Sequence, residues 1–425
     1  MASEEFQPLQ GMADLAAPEI ARWQQIEAQA RNVLSRYGFS EVRTPVLERL
    51  ELFVRSLGDE TDVVQKEMYQ FEDRGGRKLA LRPEGTAGVM RYVAARGQDA
   101  QDARLYYIGP MFRSERPQAG RRRQFHQLGA EAIGAAHPAA DAEVIALQLH
   151  LLQSWGLSQC RVHINTRGLG ADRVNAQQQI RELLLAKREL LCADCQRRLD
   201  TNVLRVLDCK NPECAKIVST LPPLTSFMSA EARSYLDEVC RSLTALEVPF
   251  ELRPNLVRGL DYYQHTVWEI THPALGAQDA IAGGGRYLLN IGGRAIEGVG
   301  FAIGLERSLV ALAAERPESP PDRLPLVWFV AQGERAHEEG LRLLQSLRWR
   351  GVAAQMCVDR RSMKAQFRAA DRAKAMYVVV RGDAEIEKGL FLLKTLATGV
   401  QEELDLPSLM DRMKPLERGD AVLLR

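Results

Sequence analysis

The sequence predicts two unlike domains: an α+β domain interrupted by a helical insertion, and a C-terminal α/β domain. Three observations carry this. Residues 66–81 and 104–131 read as strand–turn–strand segments, the signature of antiparallel hairpins. From about Gly168 to Arg241 the texture turns charged and Leu-rich with helical periodicity. Beyond a proline-rich stretch at 315–325, strands and helices alternate, as in an α/β domain with a mixed or parallel sheet. The expected boundaries are 1–167 and 242–318 for the two parts of the first domain, 168–241 for the insertion, 319–325 for the linker and 326–425 for the last domain.

Residues 18–37 should form an amphipathic helix, with Ile20, Trp23, Ile26, Ala30, Val33 and Leu34 on one face, Pro18 in its first turn and Gly38 at its C-cap. A strand should follow from Phe39 to Val46, and Pro45 assigns it to an edge or a bulge. Met68, Tyr69 and Phe71 with Leu79 and Leu81 around Arg74-Gly-Gly read as a hairpin, after which Arg82-Pro-Glu-Gly-Thr86 turns into a helix from Ala87. Glu84 and Thr86 suit either a helix cap or a ligand ammonium, and taken alone they favour the cap.

The next segment draws the most attention. Between the apolar run Leu105–Ile108 and the run ending at Glu131 lies a loop with five arginines, Arg113, Arg116, Arg121, Arg122 and Arg123, together with Glu115, Gln118 and Phe125. Guanidinium is planar, permanently charged and able to grip phosphate bidentately, so such a loop suits a polyanion. A solvated basic hairpin is the alternative. Downstream, residues 139–155 read as a helix and 161–165 as a strand.

The insertion contains Cys192-x2-Cys195 and, thirteen residues later, Cys209-x4-Cys214. Paired cysteines at such spacing can bind tetrahedral zinc. The second spacing is loose, so ordinary reduced cysteines, with no metal, are the favoured expectation and structural zinc the alternative. Leu256-Val-Arg258-Gly-Leu-Asp-Tyr262-Tyr263 precedes a strand at 266–270, and offers a cation and hydroxyls. Glycines at 283–285 and 292–293, around Tyr287, would let backbone approach a ligand closely. Gly298 to Arg307 reads as strand then helix, with Arg307 in the first turn, where backbone amides favour phosphate. In the last domain, Arg360, Arg361, Lys364, Arg368, Arg372 and Lys374 make one helix region basic, either a solvated face or a nucleic-acid contact.

With 56 Lys+Arg against 55 Asp+Glu the chain is not globally basic, so nucleic-acid contact would have to come from local patches. The start, Met1-Ala-Ser-Glu-Glu-Phe, carries no signal-peptide pattern, and no apolar run approaches bilayer-spanning length. A cytoplasmic protein with reduced thiols and no membrane association is expected.

Taken in order, these runs resemble the class II aminoacyl-tRNA synthetases, and among them the histidyl-tRNA synthetases. Pro45 lies where that class has its dimer-interface motif, Phe112-Arg-Ser-Glu with Arg121–Phe125 matches the second motif, and Gly298 to Arg307 the third. Arg82-Pro-Glu-Gly-Thr86 and Leu256–Tyr263 resemble runs particular to the histidine enzymes. The resemblance implies an antiparallel sheet flanked by helices, a C-terminal anticodon-binding domain, a homodimer, and two-step transfer of L-histidine through histidyl-adenylate to the 3′ end of tRNA(His), with ATP as substrate and Mg2+ bridging its phosphates. It implies catalytic roles for Arg113 and Arg258 at the α-phosphate. Glu84, Thr86 and Gln127, with Arg113 and Arg258, would receive the amino and carboxylate groups of histidine, and Glu131, Tyr262, Tyr263 and Tyr287 would face its imidazole. Glu115, Arg121, Phe125 and Arg307, with Arg113, would hold ATP, and Arg116 and Gln118 would meet the tRNA end. The chain departs from the family where Tyr287 is followed by Leu-Leu-Asn-Ile rather than a longer Asp-Gly-Leu connection. Two rival readings are the non-catalytic regulatory subunit of ATP phosphoribosyltransferase, which shares the core but lacks the C-terminal domain, and a class II synthetase for another amino acid.

Overall fold

The structure, a computed structural model, describes residues 6–58, 61–100, 102–115, 120–257, 262–276, 278–316, 326–359 and 361–413, those at 98–99 without their side chains. The chain divides into a unit at 1–320 and a second at 321–425.

The first unit runs α1 (Glu19–Arg36), β1 (Ser40–Glu41), β2 (Leu47–Arg49), α2 (Leu50–Leu57), β3 (Gln70–Glu72), β4 (Lys78–Leu81), α3 (Thr86–Arg96), β5 (Arg104–Phe112), β6 (Gln124–Ile133), α4 (Pro138–Ser154) and β7 (Arg161–Thr166). It continues with α5 (Gly170–Leu185), α6 (Ala193–Thr201), α7 (Pro212–Val218), α8 (Ala230–Ala245), β8 (Phe250–Leu252), β9 (Tyr263–Thr271), β10 (Ala280–Ile291), β11 (Arg294–Gly304) and α9 (Leu305–Glu315). Eight strands form one sheet in the order β1-β5-β6-β11-β10-β9-β7-β8. The six central strands are antiparallel neighbours, as the resemblance implied, while β1 and β8 join the edges in parallel.

The strand expected over 39–46 is largely replaced. Ser40–Glu41 pairs with β5, and Leu47–Arg49 joins a separate sheet in the order β2-β4-β3. Pro45 has no N–H to give a ladder, so regular pairing stops short of it. The buried Arg82 closes the gap, its guanidinium donating to the Thr44 and Pro110 carbonyls at 3.0 and 2.8 Å.

Side chains alternate across the sheet with period two. Leu128, Ala130 and Ala132 of β6, with Val299, Phe301 and Ile303 of β11, join the core under α1, α4, α8 and α9. Ile133 and Tyr107 point the other way, into the core beneath α2 and α3. The α1 face is as predicted, with Trp23, Ile26, Ala30, Val33 and Leu34 buried. Gln148 of α4 ties its helix to the sheet, accepting from the Trp268 indole at 2.6 Å and donating to the Ala302 carbonyl.

Helices α5 to α7 bury a core of their own, including Ile180, Leu184, Leu199 and Val218. The break expected after Arg241 falls inside α8, which serves both bodies. Its Ala232 packs on the insertion, and Leu236, Val239 and Leu243 pack on the main core.

The second unit runs β12 (Leu326–Ala331), α10 (Glu334–Trp349), β13 (Ala353–Met356), α11 (Met363–Arg372), β14 (Tyr377–Arg381), α12 (Asp383–Lys388), β15 (Phe391–Thr395), β16 (Gln401–Leu404) and α13 (Leu406–Arg412). Its sheet order is β13-β12-β14-β15-β16, with β12 parallel to both neighbours and the last two pairings antiparallel: a mixed sheet, one of the two kinds expected. Lys364, Arg368 and Arg372 recur every four residues on α11 and are exposed, whereas Arg360 and the linker at 319–325 lie outside the described residues.

One buried ion pair fastens β10 to α4. Arg286, 1 % exposed, donates to Asp141 through Nε at 3.0 Å and Nη2 at 2.5 Å, and also to Glu297 and the Ala135 carbonyl. Removing one partner strands a buried charge, so Asp141→Ala should destabilise the first unit by about 3–5 kcal/mol, seen as a lower denaturation midpoint. A midpoint equal to wild type would show that Glu297 and the carbonyl suffice for the guanidinium.

Candidate active site

Two cavities meet on the α3 side of the sheet. The smaller, about 70 Å3, is lined by Glu84, Thr86, Tyr107, Gln127, Glu131, Tyr262, Tyr263 and Tyr287; the larger, about 370 Å3, by Glu67, Arg113, Glu115, Arg121, Arg122, Phe125, Glu269, Glu306 and Arg307 among others. Arg113, Gln127, Gly283 and Ala302 line both, so the two share a wall.

The small cavity follows from strand register. Odd-numbered residues of β6 face away from the core under α1, α4, α8 and α9, which puts Gln127, Gly129 and Glu131 on one face. Tyr107 of β5 lies directly opposite Gly129, and a Cβ there would sit 2.3 Å from the phenol ring. A Cβ on Gly300, opposite Glu131 on β11, would sit 1.8 Å from its Oε2. The neighbouring strands thus supply the volume into which the pocket's polar side chains fold. Of the glycines at 283–285, Gly283 borders the cavities, while Gly285 makes room for Tyr263 rather than for a ligand. Gly292 and Gly293, with φ of 61° and 80°, make a two-residue hairpin turn between β10 and β11, so the short connection after Tyr287 is a tight turn.

Glu131 is the hub of this cavity. Its Oε1 accepts from Thr86 Oγ1 at 2.7 Å and its Oε2 from Tyr287 Oη at 2.8 Å. Burial pushes its pKa up to about 8, against the pull of those two hydroxyls. Glu84 does what the cap reading required, accepting from the Thr86 and Ala87 amides at 2.7 and 2.9 Å, yet it also borders the cavity, and burial raises its pKa. The two readings were never exclusive. Tyr262 packs its ring 4.7 Å from that of Tyr263 and 5.8 Å from that of Tyr287. Gln127 Oε1 is buried without a hydrogen-bond partner among the described residues, so a donor in the cavity would satisfy it.

The larger cavity is electrostatically mixed. Arg113 donates to the Pro83 carbonyl at 2.9 Å and holds its guanidinium 5.4 Å from the Phe125 ring centroid. Glu115 takes Arg121 at 2.9 Å and lies 3.8 Å from Arg113. Arg307, in the first turn of α9, donates to the carbonyls of Ala280 and Gln278, and burial followed by nearby Arg121 lowers its pKa. An incoming anion would relieve that repulsion. Of the arginines without an assigned role, Arg122 lines the cavity and Arg123 braces the loop through the Glu115 carbonyl.

Sequence reasoning missed Tyr107, Glu67, Glu269 and Glu306. Tyr107 was legible in principle as the strand residue facing Gly129. Glu306, in the first turn of α9, accepts from the backbone amide of His126 on β6 and meets its Nδ1, and nothing local marks it. Arg116, Gln118 and Arg258 lie outside the described residues.

A family model described as "Histidyl-tRNA synthetase" matches residues 11–307, and one described as "Anticodon binding domain" matches 326–416. This chain belongs to the histidyl-tRNA synthetase family. Family relatives include "Histidine--tRNA ligase 2" of Bacillus cereus, 47% identical over 93% of this chain and 96% of its own length, and "Histidine--tRNA ligase" of Geobacillus sp., 45% identical over 96% and 99%. The apo histidyl-tRNA synthetase of S. aureus superposes with a TM-score of 0.79 at 34% identity, covering 96% of this chain and 99% of that one. A Bacillus halodurans structure titled as an ATP phosphoribosyltransferase regulatory subunit/histidyl-tRNA synthetase gives 0.63 at 22% identity over 89% of this chain and 98% of its own, a likeness of fold alone.

A carboxyl whose pKa rises from 4.5 to about 8 on folding opposes folding at neutral pH. That penalty is absent below the unfolded value, grows as pH rises between the two, and stays constant above about 8. Glu131→Gln should therefore stabilise the ligand-free protein by on the order of 3 kcal/mol at pH 7 and by little at pH 4.5. Denaturation midpoints at the two pH values check this; an equal effect at both would mean that Glu131 is ionised in the pocket.

Proposed function

We propose that this chain is a histidine–tRNA ligase, which activates L-histidine with ATP to histidyl-adenylate and passes the histidyl group to the 3′ end of tRNA(His). The observation that carries the reading is the shared wall: a small polar pocket opens through Arg113 and Gln127 into an arginine-lined cavity. Activation needs that arrangement, because the amino-acid carboxylate must reach the α-phosphorus in line with departing pyrophosphate.

In this reading Glu131, with Tyr262, Tyr263 and Tyr287, reads the imidazole. A substrate lacking ring nitrogens would leave buried polar groups unpaired, which rejects it without an editing site. Glu84, Thr86 and Gln127 receive the α-amino and carboxylate groups, which supplies the donor that Gln127 Oε1 lacks among the described residues. Arg113, on the boundary of both cavities, holds the reacting carboxylate against the α-phosphate, with Arg258 assigned to the other side of the same phosphate. The adenine stacks on Phe125 with its amino group toward Glu115, and Arg121 and Arg307 hold the outer phosphates. Catalysis then rests on positioning and charge stabilisation, which a set of fixed guanidiniums provides without a covalent nucleophile.

ATP would bring Mg2+, which screens phosphate charge when bound. Hard oxygen ligands suit it, and the Glu269 and Glu306 carboxylates line the larger cavity. Arg116 and Gln118 are assigned to the tRNA end, and the unit at 321–425 to the anticodon stem. The remaining proposals are a homodimer that uses the region around Pro45, and a cytoplasmic location alongside tRNA; among the described residues no helix is long and apolar enough to cross a membrane.

The purified protein should catalyse ATP–pyrophosphate exchange that depends on histidine and on no other amino acid. Arg113→Ala and Arg258→Ala should each lower the exchange rate by about 10²–10³-fold with little change in denaturation midpoint. ATP binding without exchange would favour the regulatory-subunit reading, and exchange driven by another amino acid would remove the histidine assignment.

A further inference from the structure

The four cysteines of the insertion, which their spacing left as ordinary thiols, converge in space. Their Sγ atoms all lie within 4.8 Å of one another, and Cys192 and Cys209 approach to 3.9 Å. None is in a disulfide. Regular tetrahedra of 3.9 and 4.8 Å edge place their corners about 2.4 and 2.9 Å from the centre, so a small inward shift brings the sulfurs to a zinc–thiolate bond of about 2.3 Å. We propose that Cys192, Cys195, Cys209 and Cys214 bind one structural zinc ion.

Local geometry prepares the four sulfurs for this. Cys192 is the N-cap residue of α6 and Cys195 lies in its first turn, so one helix start presents both. Cys214 occupies the first turn of α7, whose N-terminus is fixed by Pro212 and by Asn211 Oδ1, which accepts from the Glu213 and Cys214 amides. The Cys192 amide donates to Cys214 Sγ at 3.2 Å, the kind of contact that orients a thiolate ligand and spreads its charge. Cys195 and Cys214 are fully buried, and Cys192 and Cys209 close the cluster from the partly exposed side. Soft, tetrahedral sulfur donors select zinc over the hard cations, and four sulfurs this close leave room for one ion but not for an iron–sulfur cluster.

The insertion needs such a staple. Its α6 and α7 have 9 and 7 residues, short of the roughly 12–15 at which an isolated helix begins to hold. Between them, Arg205 and Asp208 line the large cavity of the catalytic unit, and Arg205 reaches Asp62 at 3.6 Å. Asp208 is next to the ligand Cys209. The ion would thus hold in place the part of the cavity wall that the insertion contributes.

The test uses full-length, untagged protein purified under reducing conditions without chelator. Elemental analysis should give one zinc per chain, and cobalt substitution should produce the intense thiolate-to-metal absorption of a tetrahedral sulfur site. Cys209→Ser, at the partly exposed ligand, should lower zinc content severalfold, while Cys357→Ser should leave it unchanged. Chelation of the wild type should lower its denaturation midpoint, and added zinc should restore it, a readout that does not depend on any variant folding. The proposal is overturned if the reduced, metal-free protein fails to take zinc from a chromophoric chelator, or if purified protein contains two disulfides and no metal.

Discussion

The Glu131 carboxyl is buried where three elements meet, and the remainder of the small cavity is arranged around it. It rises from β6, receives one hydroxyl from the start of α3 and another from β10, and fits only because β11 places a glycine beneath it. Burying a carboxyl opposes folding, and two neutral hydroxyls offset part of that cost without supplying charge. The group is left able to titrate near neutrality inside a small polar pocket. If the pocket takes histidine as proposed, such a group suits an imidazole, because its protonation can follow that of the ligand. The fold accepts a local instability to keep it there.

Electrostatics divide the two cavities. The small one is built from phenols, hydroxyls and carboxyls, and the large one from guanidiniums with carboxylates between them. Arg113 borders both, with its ring partner Phe125 lining the larger one. Arginines held by Glu115 and by backbone carbonyls are already fixed in place, so an anion entering the larger cavity would require little reorganisation. The insertion contributes Arg205 and Asp208 to the lining of the large cavity, so a helical body far along the chain shapes part of its wall. The insertion's four convergent sulfurs add a means of keeping that wall in place.

Much of the architecture was legible in sequence because it depends on local periodicity. The α1 face, the hairpins, the strand-to-helix turn at Gly304 and the alternation after Leu326 follow from patterns of period two or 3.6. The strand over 39–46 was misjudged because the pattern could not show that pairing would end at Glu41, short of Pro45, and resume in a different sheet only at Leu47. The end of the insertion was blurred because α8 is continuous while its packing partners change partway along.

By itself the sequence determined which residues share a strand face and which runs carry arginine, and through its resemblance to a family it determined the roles those residues were expected to fill. Only tertiary structure decided that Tyr107 folds over Gly129, that Glu84 serves as cap and cavity wall at once, that Glu306 clasps a histidine 180 residues away in the chain, and that four cysteines at loose spacing meet. These are questions of distance between segments. Periodicity fixes the direction a side chain takes from its own backbone, and it carries no information on which neighbour waits there.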